Sequence, residues 1–217
     1  EGFSAAAIIG KKEFMGLTLK VNEQVLIPRP DTETWLEKVI QYYRNETGLK
    51  VADLGTGSGA ILVGFLYYCR DGVGVGVDIS TEALKIAKEN GQNLKITDRV
   101  EWRQGDYLKA FDEEDIFDGI FSNPPYIPTK DIGGLSREVK HEPRLALDGG
   151  TDGLYFYHLL AKGAAEHLKP GGFLAVEFGI GQATDILEMF RKSAQYEDFE
   201  VIKDYGGIER ALYCRKK

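Results

Sequence analysis

The sequence predicts an α/β fold, a doubly wound and mostly parallel sheet, on three observations. From residue 50 onward, apolar runs of strand length alternate with runs of helix length. The first of these strands leads straight into a glycine-rich turn, Asp53-Leu54-Gly55-Thr56-Gly57-Ser58-Gly59. The last two strands, Phe199 to Lys203 and Arg210 to Cys214, have too short a link for a crossover and should be antiparallel. Right-handed crossovers then place the ligand site at the carboxyl ends of the parallel strands.

Local pattern accounts for each element. Phe14 to Val21 and Gln24 to Ile27 read as a first extended pair, ending in Pro28-Arg29-Pro30. Asp31 stands as an N-cap, with Glu33 in the first turn of a helix that carries Trp35, Leu36, Val39 and Ile40 on one face. Lys50 to Leu54 is a short buried strand, and a helix succeeds the glycine turn from about Ala60 to Cys69. Val73 to Asp78 is the second strand; Ser80 caps a helix that runs to about Asn93. Val100 to Arg103 and Phe117 to Ser122 are the third and fourth strands. A helix from about Gly153 to Leu168 should stop sharply at Lys169-Pro170-Gly171-Gly172. Phe173 to Phe178 is the fifth strand and Gln182 to Lys192 a helix, before the closing pair around Tyr205-Gly206-Gly207.

A length of 217 residues allows one large domain, or one with a small appendage. With 43% hydrophobic and 28% charged residues the chain is of ordinary globular composition. Its 27 Lys and Arg against 34 Asp and Glu leave a formal charge of −7, which argues against a direct nucleic-acid partner gripped through phosphates. No apolar stretch approaches the ~20 residues of a membrane helix, so no membrane partner is expected. Cys69 and Cys214 stand far apart in no metal-like spacing, which suits a reducing cytoplasm and a site without metal. The chain opens on Glu1 and Gly2 to Gly10 without the pattern of a signal peptide, and reads as a fragment or processed form. A monomer is expected.

The turn Gly55 to Gly59 lets backbone approach a ligand closely, although a plain strand-to-helix turn has the same composition. A dinucleotide fingerprint would place its third glycine one residue later, and Asp53 would sit badly beside a pyrophosphate. Asp78, ending the second strand, can accept from both hydroxyls of a ribose. Asp106 can accept from an adenine amino group while Tyr107 packs on the ring. Each acid alone would pass for a cap or turn residue. Three at the ends of successive strands, beside the glycine turn, point to a nucleoside-containing cofactor.

The fourth strand ends in Asn123-Pro124-Pro125-Tyr126. A rigid strand-ending turn would also use two prolines, but here they leave carbonyls free and fix φ. The Asn123 side-chain oxygen and the Pro124 carbonyl can accept both hydrogens of a planar NH2 group, and Tyr126 offers a ring to pack on its plane. Such a nitrogen is a poor nucleophile because its lone pair is delocalised. Two acceptors hold it in line with an electrophile and favour positive charge developing on it. No strong base is needed, and His141, His158 and His167 show no partner pattern.

The strand arrangement and the acids resemble the class I S-adenosylmethionine-dependent methyltransferase fold, a seven-stranded sheet with an antiparallel last strand, here preceded by a short β-hairpin. The blocks Leu26-Ile27-Pro28-Arg29-Pro30-Asp31-Thr32-Glu33, Asp53 to Gly59, Ser122 to Ile127, and His141-Glu142-Pro143-Arg144-Leu145-Ala146-Leu147 with Gly149-Gly150 and Asp152-Gly153-Leu154 resemble the HemK-type protein-(glutamine-N5) methyltransferases. The resemblance implies N5-methylation of the glutamine in the Gly-Gly-Gln motif of peptide chain release factors, with S-adenosylmethionine converted to S-adenosylhomocysteine. It implies that Asn123, Pro124, Pro125 and Tyr126 bind the amide and that Asp53, Gly55, Thr56, Gly57, Ser58, Gly59, Asp78, Asp106, Tyr107 and Asn123 serve the cofactor. Pro28 and Arg29 would border the glutamine entrance, with Arg29 able to pair with a carboxylate, and residues 141–147 would form part of the wall for the release factor. Leu26 stands where some relatives carry Phe. The family's small N-terminal helical domain is not found ahead of Gly10-Lys11-Lys12-Glu13-Phe14. Residues 1–30 are therefore expected to be a hairpin and linker, and 31–217 the catalytic domain. A ribosomal protein as the glutamine substrate, amine methylation of nucleic-acid bases, and cofactor binding without catalysis stand as alternatives.

Overall fold

The computed structural model describes residues 2–217. A short helix α1 (Ala5–Ile9) precedes the hairpin β1 (Lys11–Phe14) and β2 (Leu17–Lys20). The remaining elements are α2 (Pro30–Tyr43), β3 (Lys50–Leu54), α3 (Ala60–Tyr68), β4 (Val73–Asp78), α4 (Thr81–Asn93), β5 (Val100–Gln104), β6 (Phe117–Ser122), α5 (Arg137–Lys140), α6 (Tyr155–Gly163), β7 (Leu168–Glu177), α7 (Ala183–Lys192), β8 (Tyr196–Lys203) and β9 (Glu209–Lys216).

The large sheet has seven strands in the order β5-β4-β3-β6-β7-β9-β8. All pairs are parallel except those made by β9, which runs against both β7 and β8. The expected fold class is therefore the observed one. Central strands covered on both faces explain why residues 51–54 and 119–122 are buried without alternation. On one face, Trp35, Leu36 and Val39 of α2 pack with Leu62 and Phe65 of α3 against Phe121, Phe173 and Ala175. On the other, Tyr157 and Leu160 of α6 and Ile186 and Phe190 of α7 cover Ala52, Ile120 and Leu174.

The start of the chain differs in detail from expectation. The hairpin turns at Met15-Gly16, one element earlier than the pattern implies, and residues 24–27 form no strand. Both turn residues have positive φ, 51° and 72°, as a tight two-residue hairpin needs; Gly16 takes it freely, but Met15 gives no sequence warning of it. Pro30 opens α2 with Arg29 flanking it, so Asp31 lies inside the first turn rather than capping it. The helix expected to reach Leu168 leaves α-geometry after Gly163 and closes in a 3-10 turn, Ala164–His167. Lys169 to Gly172 then belong to an irregular start of β7, where the register shifts between Phe117 and Gly119.

The hairpin is tied to the body of the fold. Phe14, Leu17 and Leu19 are buried in the same core as Trp35. Val21, Val25 and Ile27 pack on Ala83 and Ile86 of α4. Asn90 of α4, fully buried, accepts from the Lys20 amide (2.6 Å) and donates to the carbonyls of Lys20 (3.0 Å) and Ser58 (2.9 Å). One amide side chain therefore joins β2, α4 and the glycine turn. Replacing Asn90 by Ala leaves buried backbone groups unpaired and should cost about 2–4 kcal/mol in chemical denaturation. A loss under about 0.5 kcal/mol would show that Asn90 does not join these elements.

Candidate active site

Strands β3 and β6 are neighbours in the sheet, with Leu54 level with Ser122. Ser122 Oγ donates to the Leu54 carbonyl at 2.8 Å and laces the two strand ends together. The strand order reverses between them, which makes this the crevice where open α/β sheets bind ligands. Gly55 and Asn123, each the first residue beyond its strand, leave the sheet side by side.

The glycine turn is built for close approach. Gly55, Gly57 and Gly59 all have positive φ (74°, 55° and 80°). A Cβ on Gly55 would stand 2.9 Å from the Tyr107 hydroxyl, so that site is glycine on two counts. The amides of Gly55 and Thr56 both donate to the Val77 carbonyl at 2.9 Å. Asp78 accepts from the Gly57 amide (2.8 Å) through one carboxyl oxygen and from the Ser80 amide (2.9 Å) through the other. Burial raises its pKa, against those amide bonds, which hold it down. Beneath the turn Asp53 is fully buried; Thr56 Oγ1 donates to one oxygen at 2.6 Å and the other has no partner. Burial pushes its carboxyl up to about 7.

A cavity of about 210 Å³ lies over this crevice. Gly55 to Ser58, Asp78 and Tyr107 line one side, Asn123 and Pro125 another, and Pro28, Arg29, Pro143 and Leu145 its outer part. Tyr107 is held at φ 52° with its ring stacked on Phe156, centroids 4.5 Å apart. Four buried side-chain atoms among the described residues lack a hydrogen-bond partner: Asp53 Oδ1, Tyr107 OH, Asn123 Oδ1 and Glu142 Oε2. Tyr107 and Asn123 line the cavity, Asp53 underlies its glycine turn, and Glu142 adjoins its wall at Pro143. Buried polar atoms are paired almost everywhere in proteins, so this clustering marks a place kept for a polar ligand.

The Asn-Pro-Pro-Tyr turn is gripped from behind. Gln182 Nε2 donates to the carbonyls of Tyr126 (3.1 Å) and Gly153 (3.3 Å), while its Oε1 accepts from the Gly179 amide (2.8 Å). A Cβ on Gly153 would lie 2.3 Å from the Tyr126 carbonyl, and one on Gly149 2.7 Å from that of Pro125. Glycine at both positions lets the two loops touch. Arg29 donates to the nearly buried carboxylate of Glu142 at 2.7 Å, pinning the Pro28-Arg29-Pro30 loop to the segment that carries Pro143 and Leu145.

Comparison with known proteins bears on this arrangement. Residues 45–177 match the model of a methyltransferase domain family. The release factor glutamine methyltransferase of Bradyrhizobium diazoefficiens is 43% identical over 99% of this chain and 73% of its own length. This chain belongs to the release factor glutamine methyltransferase family. The corresponding protein of Moorella thermoacetica is 40% identical over 100% of the chain and 76% of its own length. A methyltransferase from Pyrococcus furiosus, 21% identical, superposes with a TM-score of 0.67 over 97% of this chain and 93% of that one, which speaks for the fold.

Within this family member, the expected site residues fall into two groups. Gly55, Thr56, Gly57, Ser58, Asp78, Tyr107, Asn123, Pro28, Arg29 and Pro125 line the cavity. Asp53, Gly59, Asp106, Pro124 and Tyr126 do not. Gly59 begins α3 and packs on Ala87 and Trp102, where a Cβ would come within 3.1 Å of each. Asp106 is the clearest departure: its carboxylate is half exposed and pairs with Lys109 on the same turn. The positive φ of Tyr107 sends that ring inward and leaves Asp106 outside. The Tyr126 ring lies against Gly179, where burial first and the Glu177 charge second push its hydroxyl up to about 12. Segment 141–147 contains a 3-10 turn (Arg144–Ala146) and lends Pro143, Leu145 and Ala146 to the cavity wall. No group of His, Cys, Asp and Glu among the described residues is placed to hold a metal ion.

Local sequence pattern does not mark Glu142, Glu177 or Gln182 as positioned groups. The one signal for Glu177 is a lone acid at the end of the apolar run Phe173 to Val176.

Asp53 yields a pH test. A carboxyl raised by burial stabilises the fold while protonated, and that contribution fades as pH rises from about 4 toward 7. Without ligand, the protein should lose on the order of 4 kcal/mol relative to Asp53→Asn across that interval. Urea denaturation of both proteins at several pH values measures it; parallel curves would refute the assignment.

Proposed function

We propose that this chain transfers the methyl group of S-adenosylmethionine to the side-chain amide nitrogen of a glutamine in a peptide chain release factor, leaving S-adenosylhomocysteine. The observation that carries the reading is the buried, unpartnered Asn123 Oδ1 on a residue that lines one cavity with the glycine turn and Asp78. The names of the relatives supply the glutamine and the release factor.

The residues present fit such a cofactor. The Asp78 carboxylate, fixed by two backbone amides, would receive the ribose hydroxyls, and Gly55 to Ser58 would border the methionine part. Tyr107, with an unpaired hydroxyl and a ring fixed by Phe156, would lie against the base. When bound, the cofactor supplies a methyl group on a sulfonium, an electrophile that needs no metal and no general acid.

The chain's own groups then deal with the weak nucleophile. Asn123 Oδ1, on the cavity wall, accepts one amide hydrogen. The carbonyl of Pro124, which stands off that wall, takes the second once the glutamine is seated against the turn, fixing the nitrogen in one orientation. Oxygen acceptors also favour the positive charge that gathers on nitrogen as its lone pair is drawn into the new bond. The proton departs afterwards, so no strong base is required. Tyr126 acts as a wall beside the turn, its backbone held by Gln182.

Residues 31–217 carry the chemistry in this reading. The segment before them serves as the front wall, since Gln24, Val25, Leu26, Pro28 and Arg29 line the same cavity. A net charge of −7 supports a protein substrate over a nucleic acid, and we take the active form to be a monomer.

Incubation with labelled cofactor and, separately, a release factor, a ribosomal protein and duplex DNA tests the substrate. Label should enter the release factor at one glutamine; label entering only one of the other two would replace the proposed substrate. Asn123→Ala should reduce transfer by about 100-fold or more while S-adenosylhomocysteine affinity changes less than about threefold. Near-normal turnover in that variant would remove the amide-holding role. Asp78→Ala should do the reverse, weakening cofactor binding by about tenfold or more.

A further inference from the structure

The last residue of β7, Glu177, is a carboxylate inside the protein, only 3% exposed, and the transfer just described makes no use of it. Its surroundings are specific. Thr32 Oγ1 donates to Glu177 Oε2 at 2.6 Å, and Trp35 Nε1 donates to the same oxygen at 2.7 Å. Both donors come from α2. Across the sheet, Ser122 is level with Val176, so Asn123 comes after Ser122 as Glu177 comes after Val176. Strand alternation puts these next two side chains on one face, that of α2. The Asn123 amide stands beside the carboxyl there and favours its ionised form.

An asparagine amide has a donor end and an acceptor end, and nothing in its shape decides which one faces a ligand. A carboxylate accepts only. Beside it the NH2 end of Asn123 is drawn to Glu177, and the oxygen end is left over; that oxygen is the buried atom without a partner. We propose that Glu177 is a positioning residue for methyl transfer, its carboxylate fixing the Asn123 amide so that Oδ1 stays free for the substrate nitrogen. The proposal rests on the reading of Asn123 as the holder of the glutamine amide.

The chemistry gives a substitution of equal size and opposite effect. In Glu177→Gln one oxygen still accepts from Thr32 and Trp35, but the other atom becomes an NH2 group facing Asn123. Two donors then meet, and the Asn123 amide turns over, offering its oxygen to residue 177 and its NH2 to the substrate. Adding Asn123→Asp restores the pattern: one carboxylate oxygen accepts from the new amide and the second points to the substrate. Asn123→Asp alone puts two carboxylates side by side and does not restore it.

The experiment compares kcat, KM for the release factor and S-adenosylhomocysteine affinity in four proteins: the unaltered chain, Glu177→Gln, Asn123→Asp and the double variant. Glu177→Gln should lose about 100-fold in kcat with cofactor affinity within about threefold, and the double variant should regain about tenfold or more over either single one. Unchanged kcat in Glu177→Gln overturns the proposal. So does a double variant no better than the single ones, or loss of cofactor affinity in Glu177→Gln, which would assign Glu177 to the fold alone. Asn123→Ala separates the two layers. If it keeps its turnover, the amide-holding reading fails; if it is inactive while Glu177→Gln is normal, only the role of Glu177 fails.

Discussion

Two strand ends, distant in sequence, are held level by a single side chain: Ser122 Oγ on the Leu54 carbonyl, at the place where the sheet order reverses. Beyond β3 the chain makes a turn that yields backbone and empty space. Beyond β6 it makes a turn that yields oriented acceptors. The distance between those two functions is set by one register, Leu54 against Ser122. A slip of one residue would turn every subsequent side chain to the opposite face. Asn90 and Gln182, one bracing each turn, keep that register effective beyond the ends of the strands.

Electrostatics runs through the same crevice. Asp53 and Glu177 are buried and Asp78 is half-buried, and burial raises the pKa of each. Hydrogen bonds resist that rise: Thr56 on Asp53, two backbone amides on Asp78, Thr32 and Trp35 on Glu177. Carboxyls whose charged form is disfavoured by burial suit a pocket that receives a positively charged ligand, since a nearby cation restores that form. They are also a standing cost to the empty protein, since each is better solvated in water.

Much of this is legible in the sequence. Strands at 50–54, 73–78 and 117–122 stand out because their apolar runs break off at glycine, acidic or Ser-Asn positions, and the glycine turn and diproline turn announce themselves by composition. The hairpin is legible in its existence but not in its position, because Met15 carries no sign of the positive φ it adopts. Asp106 and Tyr107 look like a pair in the sequence, yet one backbone dihedral sends them to opposite sides. Glu177 and Gln182 look ordinary where they stand in the chain. Their roles arise only when β6 and β7 lie side by side, which is a property of tertiary structure and not of local pattern.

Both tryptophans of the chain fall under this site. The Trp35 indole is bonded to Glu177 behind the diproline turn, and Trp102 lies against Gly59 and Gly76 below the glycine turn. Indole emission responds to nearby charge and to changes in hydrogen bonding. The molecule thus carries two built-in optical reporters, one behind each of the two turns, and no dye need be attached to follow either.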